Sequence, residues 1–221
     1  MHTFDKEYWE SHWQNVPTTS TGRDVAEHPH LAQEVGALSP GSAIDAGCGE
    51  GAEAVWLATR GWQVTAADIS GEALARAAAR ATASGVDPAA IDWLEADLGT
   101  WQPEQRFDLV TTFYAHPAIP QLTFYERIAD WVAPGGTLLI VGHDHSAHDD
   151  DSAHHDHHGR HDGADGQPPE KATATLSSIT ALLDDATWQV VTAEQHRRTL
   201  PNGSGGTVEL HDVVVRATRR P

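Results

Sequence analysis

The sequence predicts an α/β fold, a mostly parallel sheet with helices on both faces and an antiparallel hairpin at its C-terminal end. Three observations carry this. Short apolar runs alternate with helix-favouring segments between residues 43 and 142, and strands joined through helices pair in parallel by right-handed crossovers. The first apolar run leads straight into closely spaced glycines. The C-terminal stretch then drops the alternation for two successive strand-like runs.

The elements follow in order. Residues 5–15 read as a short amphipathic helix bearing Tyr8, Trp9 and Trp13, and a second helix ends near Gly36. Between them lies a polar loop, Pro17 to Asp24, and Pro40-Gly41 is a turn signal. Ala43 to Ala46 is a strand, Glu53 to Arg60 a helix stopped by Gly61, and Gln63 to Ala67 a second strand. The alanine-rich run Glu72 to Ser84 favours helix and ends at Gly85. Ile91 to Glu95 and Phe107 to Phe113 are strands, and Gln121 to Val132 is an amphipathic helix. After the turn Pro134-Gly135-Gly136, Thr137 to Gly142 is a fifth strand. Ser177 to Thr187 is helical. Gln189 to Gln195 and Val208 to Ala217 form the hairpin around the loop Pro201 to Gly206. The expected organisation is one domain, residues 1–221. Residues 1–40 form a helical lid, and a mobile His/Asp-rich insert occupies residues 143–170.

Composition narrows the function. The formal charge is −18 and the pI near 5.0, so the surface repels phosphate backbones and anionic lipid. Neither nucleic acid nor membrane is an expected partner. The single cysteine, Cys48, allows no intramolecular disulfide, and no apolar run reaches the roughly 18–20 residues of a membrane span. The polar, aromatic start lacks a signal-peptide core. A cytoplasmic protein is expected.

The loop Asp45-Ala46-Gly47-Cys48-Gly49-Glu50-Gly51 turns a strand into a helix N-terminus, where glycines let backbone approach a ligand. Gly47-x-Gly49-x-x-Ala52 also satisfies the dinucleotide pattern. An NAD(P)-dependent oxidoreductase is therefore one reading. Asp45 speaks against it, because a carboxylate there repels a pyrophosphate and welcomes an ammonium group. Asp68 ends the second strand, 21 residues after Gly47, where an acid accepts from ribose hydroxyls. Asp97 follows the third strand within Glu95-Ala96-Asp97-Leu98, placed to accept from an adenine amino group.

Together these runs resemble the class I S-adenosylmethionine-dependent methyltransferases. Asp45 to Gly51 resembles that family's first motif, Asp68-Ile69 its ribose-binding acid and adenine-packing neighbour, and Asp97-Leu98 its adenine-edge motif. Phe107-Asp108-Leu109-Val110 resembles its fourth strand and Ala133-Pro134-Gly135-Gly136 the turn before its fifth. The likeness covers about residues 28–142 and the terminal hairpin. It implies a Rossmann-like sheet of seven strands with the last antiparallel, and S-adenosylmethionine as cofactor. It also implies cofactor contacts from Asp45, Gly47, Cys48, Gly49, Gly51, Asp68, Ile69, Asp97, Leu98 and Phe113. Tyr8-Trp9-Glu10 and Pro29-His30-Leu31 look like small-molecule members related to tellurite-resistance and thiopurine methyltransferases.

A sulfonium methyl is already electrophilic, so such an enzyme chiefly aligns the acceptor and excludes water. Phe113-Tyr114-Ala115-His116-Pro117 follows the fourth strand and in this family faces the methyl group. It lacks the Asn/Asp-Pro-Pro-aromatic motif of amide and nucleobase methyltransferases. His116 is the candidate base, with Tyr114 and His143 as further catalytic candidates. The run His143 to Gly166 holds eight histidines and seven aspartates, donors that suit a divalent transition metal. His143 and His145, nearest the strand end, are the candidate ligands. A non-enzymatic metal-binding role for this run is the second alternative.

Overall fold

The computed structural model describes residues 4–15, 27–144, 174–201 and 207–221. Seven strands form one sheet: β1 Ser42–Ala46, β2 Gln63–Asp68, β3 Ile91–Glu95, β4 Phe107–Phe113, β5 Val132–His143, β6 Trp188–Pro201 and β7 Thr207–Arg219, in the order β3-β2-β1-β4-β5-β7-β6. The first five pair in parallel; β7 runs antiparallel to both β5 and β6. The order reverses at β1, so the crevice beyond the carboxyl ends of β1 and β4 is the ligand position that this topology creates.

The helices are α1 Lys6–Asn15, α2 Pro29–Val35, α3 Ala52–Thr59, α4 Gly71–Ala83, α5 Gln121–Ala129 and α6 Leu176–Ala181. Strands covered on both faces need long apolar runs, and the central ones have them, interrupted at the buried Asp45, Thr111 and Thr112. Ile44, Val110, Leu138 and Ile140 pack with Phe124, Ile128 and Ile179 of α5 and α6. Ala43, Leu109, Leu139 and Val141 pack with Leu31, Leu57 and Leu74 of α2, α3 and α4. Each such fully buried aliphatic side chain contributes about 1.5–3 kcal/mol.

Four elements depart from expectation. Helix α5 ends at Ala129 rather than Val132, which opens β5 instead. β5 begins at Val132 and runs through Pro134-Gly135-Gly136. The expected turn is an excursion within that strand: between the pairs Phe107–Val132 and Leu109–Thr137, residues 133–136 stand opposite Asp108 alone, with Gly135 at φ 79°. Helix α6 stops at Ala181 rather than Thr187, because the Asp184 carboxylate accepts from the amides of Ala186 and Thr187, both at 3.0 Å. The hairpin strands are longer than expected, and the later one lies inside, leaving β6 at the edge. The Pro17–Asp24 loop and the expected insert from His145 onward lie outside the described residues. Among the described residues no helix is long and apolar enough to cross a membrane.

Candidate active site

The glycine loop joins β1 to α3 at the reversal point. The amides of Gly47 and Cys48 both donate to the Ala67 carbonyl (2.8 and 3.0 Å), and Gly51 donates to the Cys48 carbonyl (2.8 Å). Gly47 sits at φ 82°, and a Cβ there would stand 2.4 Å from the Ala115 Cβ. Only glycine fits both that backbone and that contact. Glu50 is clamped to α4 by Arg80 (2.9 Å) and Arg76 (3.3 Å), which fixes the loop from behind.

Three carboxylates gather around this loop. Asp45 is buried; its Oδ1 receives the Thr111 hydroxyl at 3.1 Å, while the buried Oδ2 makes no well-formed hydrogen bond among the described residues, the Ala54 amide acting only weakly on the carboxyl. Burial, then the negative charge of Glu53, push the Asp45 carboxyl well above the usual range, with the Thr111 hydrogen bond opposing. Glu53, in the first turn of α3, accepts from the His28 amide at 2.9 Å and is also raised by burial. Asp68 accepts from Gly49 through Oδ2 and from Ser70 through Oδ1, both at 2.9 Å, and burial raises it against those two bonds. Glu53 and Asp68 both raise Asp45 by their negative charge, which favours a cation beside it. The buried, unmatched Asp45 oxygen and the glycine cradle both fit a cationic nucleoside such as S-adenosylmethionine. Burial, then Asp45 and Asp68, push the Cys48 thiol well above its usual range, keeping it neutral and unreactive.

Beside β2 and β3, a cavity of about 220 Å³ is lined by Asp5, Lys6, Ile69, Glu95, Asp97 and Ala118. Ile69 and Asp97 are thus brought together as the sequence suggests. Asp97 also caps its own turn, accepting from Gly99 at 2.9 Å. The Leu98 side chain instead enters the core. Helix α1 lies over this rim. Glu10 accepts from the Gly71 amide (2.8 Å) and the Ser70 hydroxyl (3.2 Å) at the start of α4. A Cβ at Gly49 would meet the Trp13 ring at 3.2 Å.

On the other side, β4 and β5 end in an aromatic and imidazole wall. Trp9 donates to the His116 carbonyl at 3.2 Å, and Phe4 stacks on the His116 ring with centroids 5.6 Å apart. The Tyr114 and His143 rings are 4.6 Å apart, and His143 lies 6.3 Å from His116. Phe113 packs against His28 at 5.7 Å. The Gln121 amide donates to the Ala115 carbonyl at 2.9 Å, which turns its oxygen toward His116 Nδ1 at 3.2 Å. This amide orientation is assigned from the carbonyl, which only accepts. Nδ1 must then donate, and the neutral His116 ring carries its lone pair on Nε2. The sequence reading missed Gln121, Glu10, Glu53 and His28. Glu53 had a signal, an acid in the first turn behind the glycines. Glu10 acts at long range, His28 through a cap and a long-range contact, and Gln121 through the fold of the short loop before α5.

Among the described residues no group of three or more His, Cys, Asp or Glu side chains could hold a metal ion. His143 ends β5, and His145 lies outside the described residues.

Comparison with known proteins agrees with this geometry. Residues 43–136 match the family described as a methyltransferase domain. That match spans 94 of the 221 residues of the chain. Among its relatives, a probable thiol methyltransferase 2 of Arabidopsis thaliana is 30% identical over 138 residues, covering 60% of each chain. TehB from Haemophilus influenzae superposes with TM-score 0.65 at 16% identity, covering 98% of this chain and 67% of TehB. Magnesium protoporphyrin IX methyltransferase from Synechocystis PCC 6803, solved with bound S-adenosylmethionine, gives 0.58 at 17% identity over 86% of this chain and 74% of its own. Both structures share the fold. Where it matches curated relatives over 100–138 residues, the chain spans 32–60% of their length.

Proposed function

We propose that this protein transfers the methyl group of S-adenosylmethionine to a small-molecule acceptor. The gathering of Asp45, Glu53 and Asp68 on the glycine loop carries the reading, with one buried Asp45 oxygen unmatched. Asp45, Gly47, Cys48, Gly49 and Gly51 hold the methionine end, Asp68 the ribose, and Ile69, Asp97 and the Leu98 backbone the adenine. Phe113 borders the reacting centre. When bound, the cofactor supplies an electrophilic methyl carbon whose bonding pair returns to sulfur as the acceptor's lone pair takes its place.

The chain's own residues do the rest. Helix α1 acts as a lid, its Trp9 and Trp13 excluding water from the two halves of the crevice. His116 Nε2, presented by Gln121, takes the proton from an acceptor that arrives protonated. Tyr114 and His143 wall the acceptor side. Thiols are the first acceptors to test, since the plant relative is named for them.

Calorimetric titration with S-adenosylhomocysteine tests the reading. Micromolar binding to the wild type, weakened in Asp68→Ala, is expected. A correctly folded wild type that takes up no S-adenosylhomocysteine would overturn it.

A further inference from the structure

His28 and Tyr114 touch on the acceptor side, and the order of their hydrogen bonds is fixed by the backbone. His28 caps α2 and its Nδ1 accepts from the His30 amide at 3.4 Å. An amide N–H can only donate, so Nδ1 holds the lone pair and the neutral ring carries its proton on Nε2. Nε2 lies 3.0 Å from Tyr114 Oη and therefore donates to it. The series runs one way, from the His30 amide through His28 to the phenol. Tyr114's own proton is directed away from His28, and a donor within such a series is strengthened by polarisation.

The backbone shows that this placement is held against resistance. Tyr114 is the one non-glycine residue with positive φ (51°) among the described residues. A bulky side chain keeps that conformation only when its surroundings enforce it. Here the Tyr114 amide is tied to the Val141 carbonyl at 2.9 Å, and the next residue, Ala115, presses on Gly47. The phenol is thus set against His28 and His143, one residue before the Ala115 that meets Gly47 and two before His116.

We infer that Tyr114, oriented by His28, is the donor that holds the acceptor's nucleophilic atom while that atom carries negative charge. The site then selects a small acceptor that reacts as a polarisable anion of the thiolate kind. The inference rests on the methyltransferase reading above. Tyr114 forms no covalent bond and gives up no proton. A protonated thiol loses its proton to His116 Nε2 and keeps its electron pair on sulfur, where the Tyr114 hydroxyl meets it. His28 is a positioning residue, since it acts only through Tyr114. A single phenol donor among the rings of Phe113 and His143 suits a weakly hydrated anion. A carboxylate or phosphate is better met by the paired donors of a guanidinium. The cationic side chains on α1 and α4 are engaged elsewhere, Lys6 with Glu95 and Arg76 and Arg80 with Glu50.

The test uses thiocyanate, an anion with no proton to lose, titrated into the full-length protein saturated with S-adenosylhomocysteine. Tyr114→Phe should bind thiocyanate about tenfold more weakly than wild type while its S-adenosylhomocysteine affinity stays within about twofold. His28→Ala should match Tyr114→Phe. His28→Gln, which returns an N–H near the Nε2 position, should recover most of the loss; a merely structural role for His28 would not show that rescue. Thiocyanate affinity unchanged in both Tyr114→Phe and His28→Ala, with cofactor-product binding intact, overturns the inference alone. Absence of S-adenosylhomocysteine binding in the folded wild type removes the methyltransferase reading and this inference with it.

Discussion

The two halves of the crevice are built on different principles. The half over β1 and β2 is made of backbone: glycines at positive φ, amides pointed at Ala67 and Asp68, and carboxylates brought close by strand ends. The half over β4 and β5 is made of side chains whose chemistry depends on neighbours. His116 and His28 are the same residue type in opposite tautomers, one donating through Nδ1 to Gln121 and the other accepting there from His30. A backbone site tolerates little change and needs little support. A tautomer-controlled site can be re-tuned by moving a single partner. Besides the hydrogen bonds from Thr111 to Asp45 and from His28 to Glu53, the halves meet in one close packing contact, Gly47 against Ala115.

Breaking that contact should give the largest effect. Gly47→Ala must hold a side chain at φ 82° and place its Cβ 2.4 Å from that of Ala115. The strained backbone and the overpacking together cost roughly 2–4 kcal/mol. Chemical denaturation should show the lost stability. Calorimetry should show S-adenosylhomocysteine binding falling by about a hundredfold or more. A fully stable Gly47→Ala that binds normally would mean that the two halves do not share this contact.

The acceptor half is tested next. His116→Ala should lower kcat for a thiol acceptor by about a hundredfold, the usual scale of a positioned base. Gln121→Leu should lower it less, by about tenfold, because the ring remains but its Nδ1 proton is no longer directed. Cofactor-product affinity should change little in either. Equal losses in the two variants would show that the tautomer, rather than the ring, carries the effect.

On the cofactor half, Asp68→Asn should weaken S-adenosylhomocysteine binding by about tenfold or more. The two Asp68 oxygens receive Gly49 and Ser70, and an amide can accept only one of them. The other buried N–H then loses its partner at about 1–3 kcal/mol. Asp45→Asn should separate stability from function. Burial raises the Asp45 carboxyl above its unfolded value, so the folded protein binds a proton that the unfolded chain has shed. Its ionised form therefore destabilises the unliganded fold as pH rises from the ordinary carboxylate range toward the raised value, and that cost vanishes in acid. Asp45→Asn should melt higher than wild type at neutral pH, with the advantage shrinking as pH falls, and should bind cofactor product worse. Thermal melts across pH check the sign.

The same contrast explains what could be read in advance. Sheet composition and the glycine loop were legible because they rest on local rules: apolar runs for strands buried on both faces, glycine where a side chain cannot go, acids at strand ends. Asp45, Asp68, Ile69 and Asp97 all fall where the pattern of the chain put them. The Leu98 side chain did not stay on the rim, because its alternation with Asp97 turns it into the core. Gln121 and His28 were illegible for a different reason. Their roles depend on which neighbour donates, and that is settled by the Ala115 carbonyl and the His30 amide after the chain has folded. The early end of α6 had the same origin, one aspartate capturing two amides.

The smallest expected effect concerns α1, the element shared by both halves. Glu10 accepts from Gly71 and Ser70 at the start of α4, where a negative charge is favoured by the exposed amides. Glu10→Ala removes this cross-helix cap and should lower stability by about 0.5–1 kcal/mol. Hydrogen exchange in α1 should quicken more than elsewhere. Cofactor-product affinity should nevertheless move by less than about twofold, because two consequences oppose each other. Loosening α1 uncovers Trp13 from Gly49, which weakens binding. Removing the Glu10 charge relieves a contribution that raises Asp68, leaving that carboxylate more readily ionised to accept hydrogen bonds. A loss in Glu10→Ala that is fully restored by Glu10→Gln would assign the effect to the hydrogen bonds. A loss that persists in Glu10→Gln would assign it to the charge at the helix end.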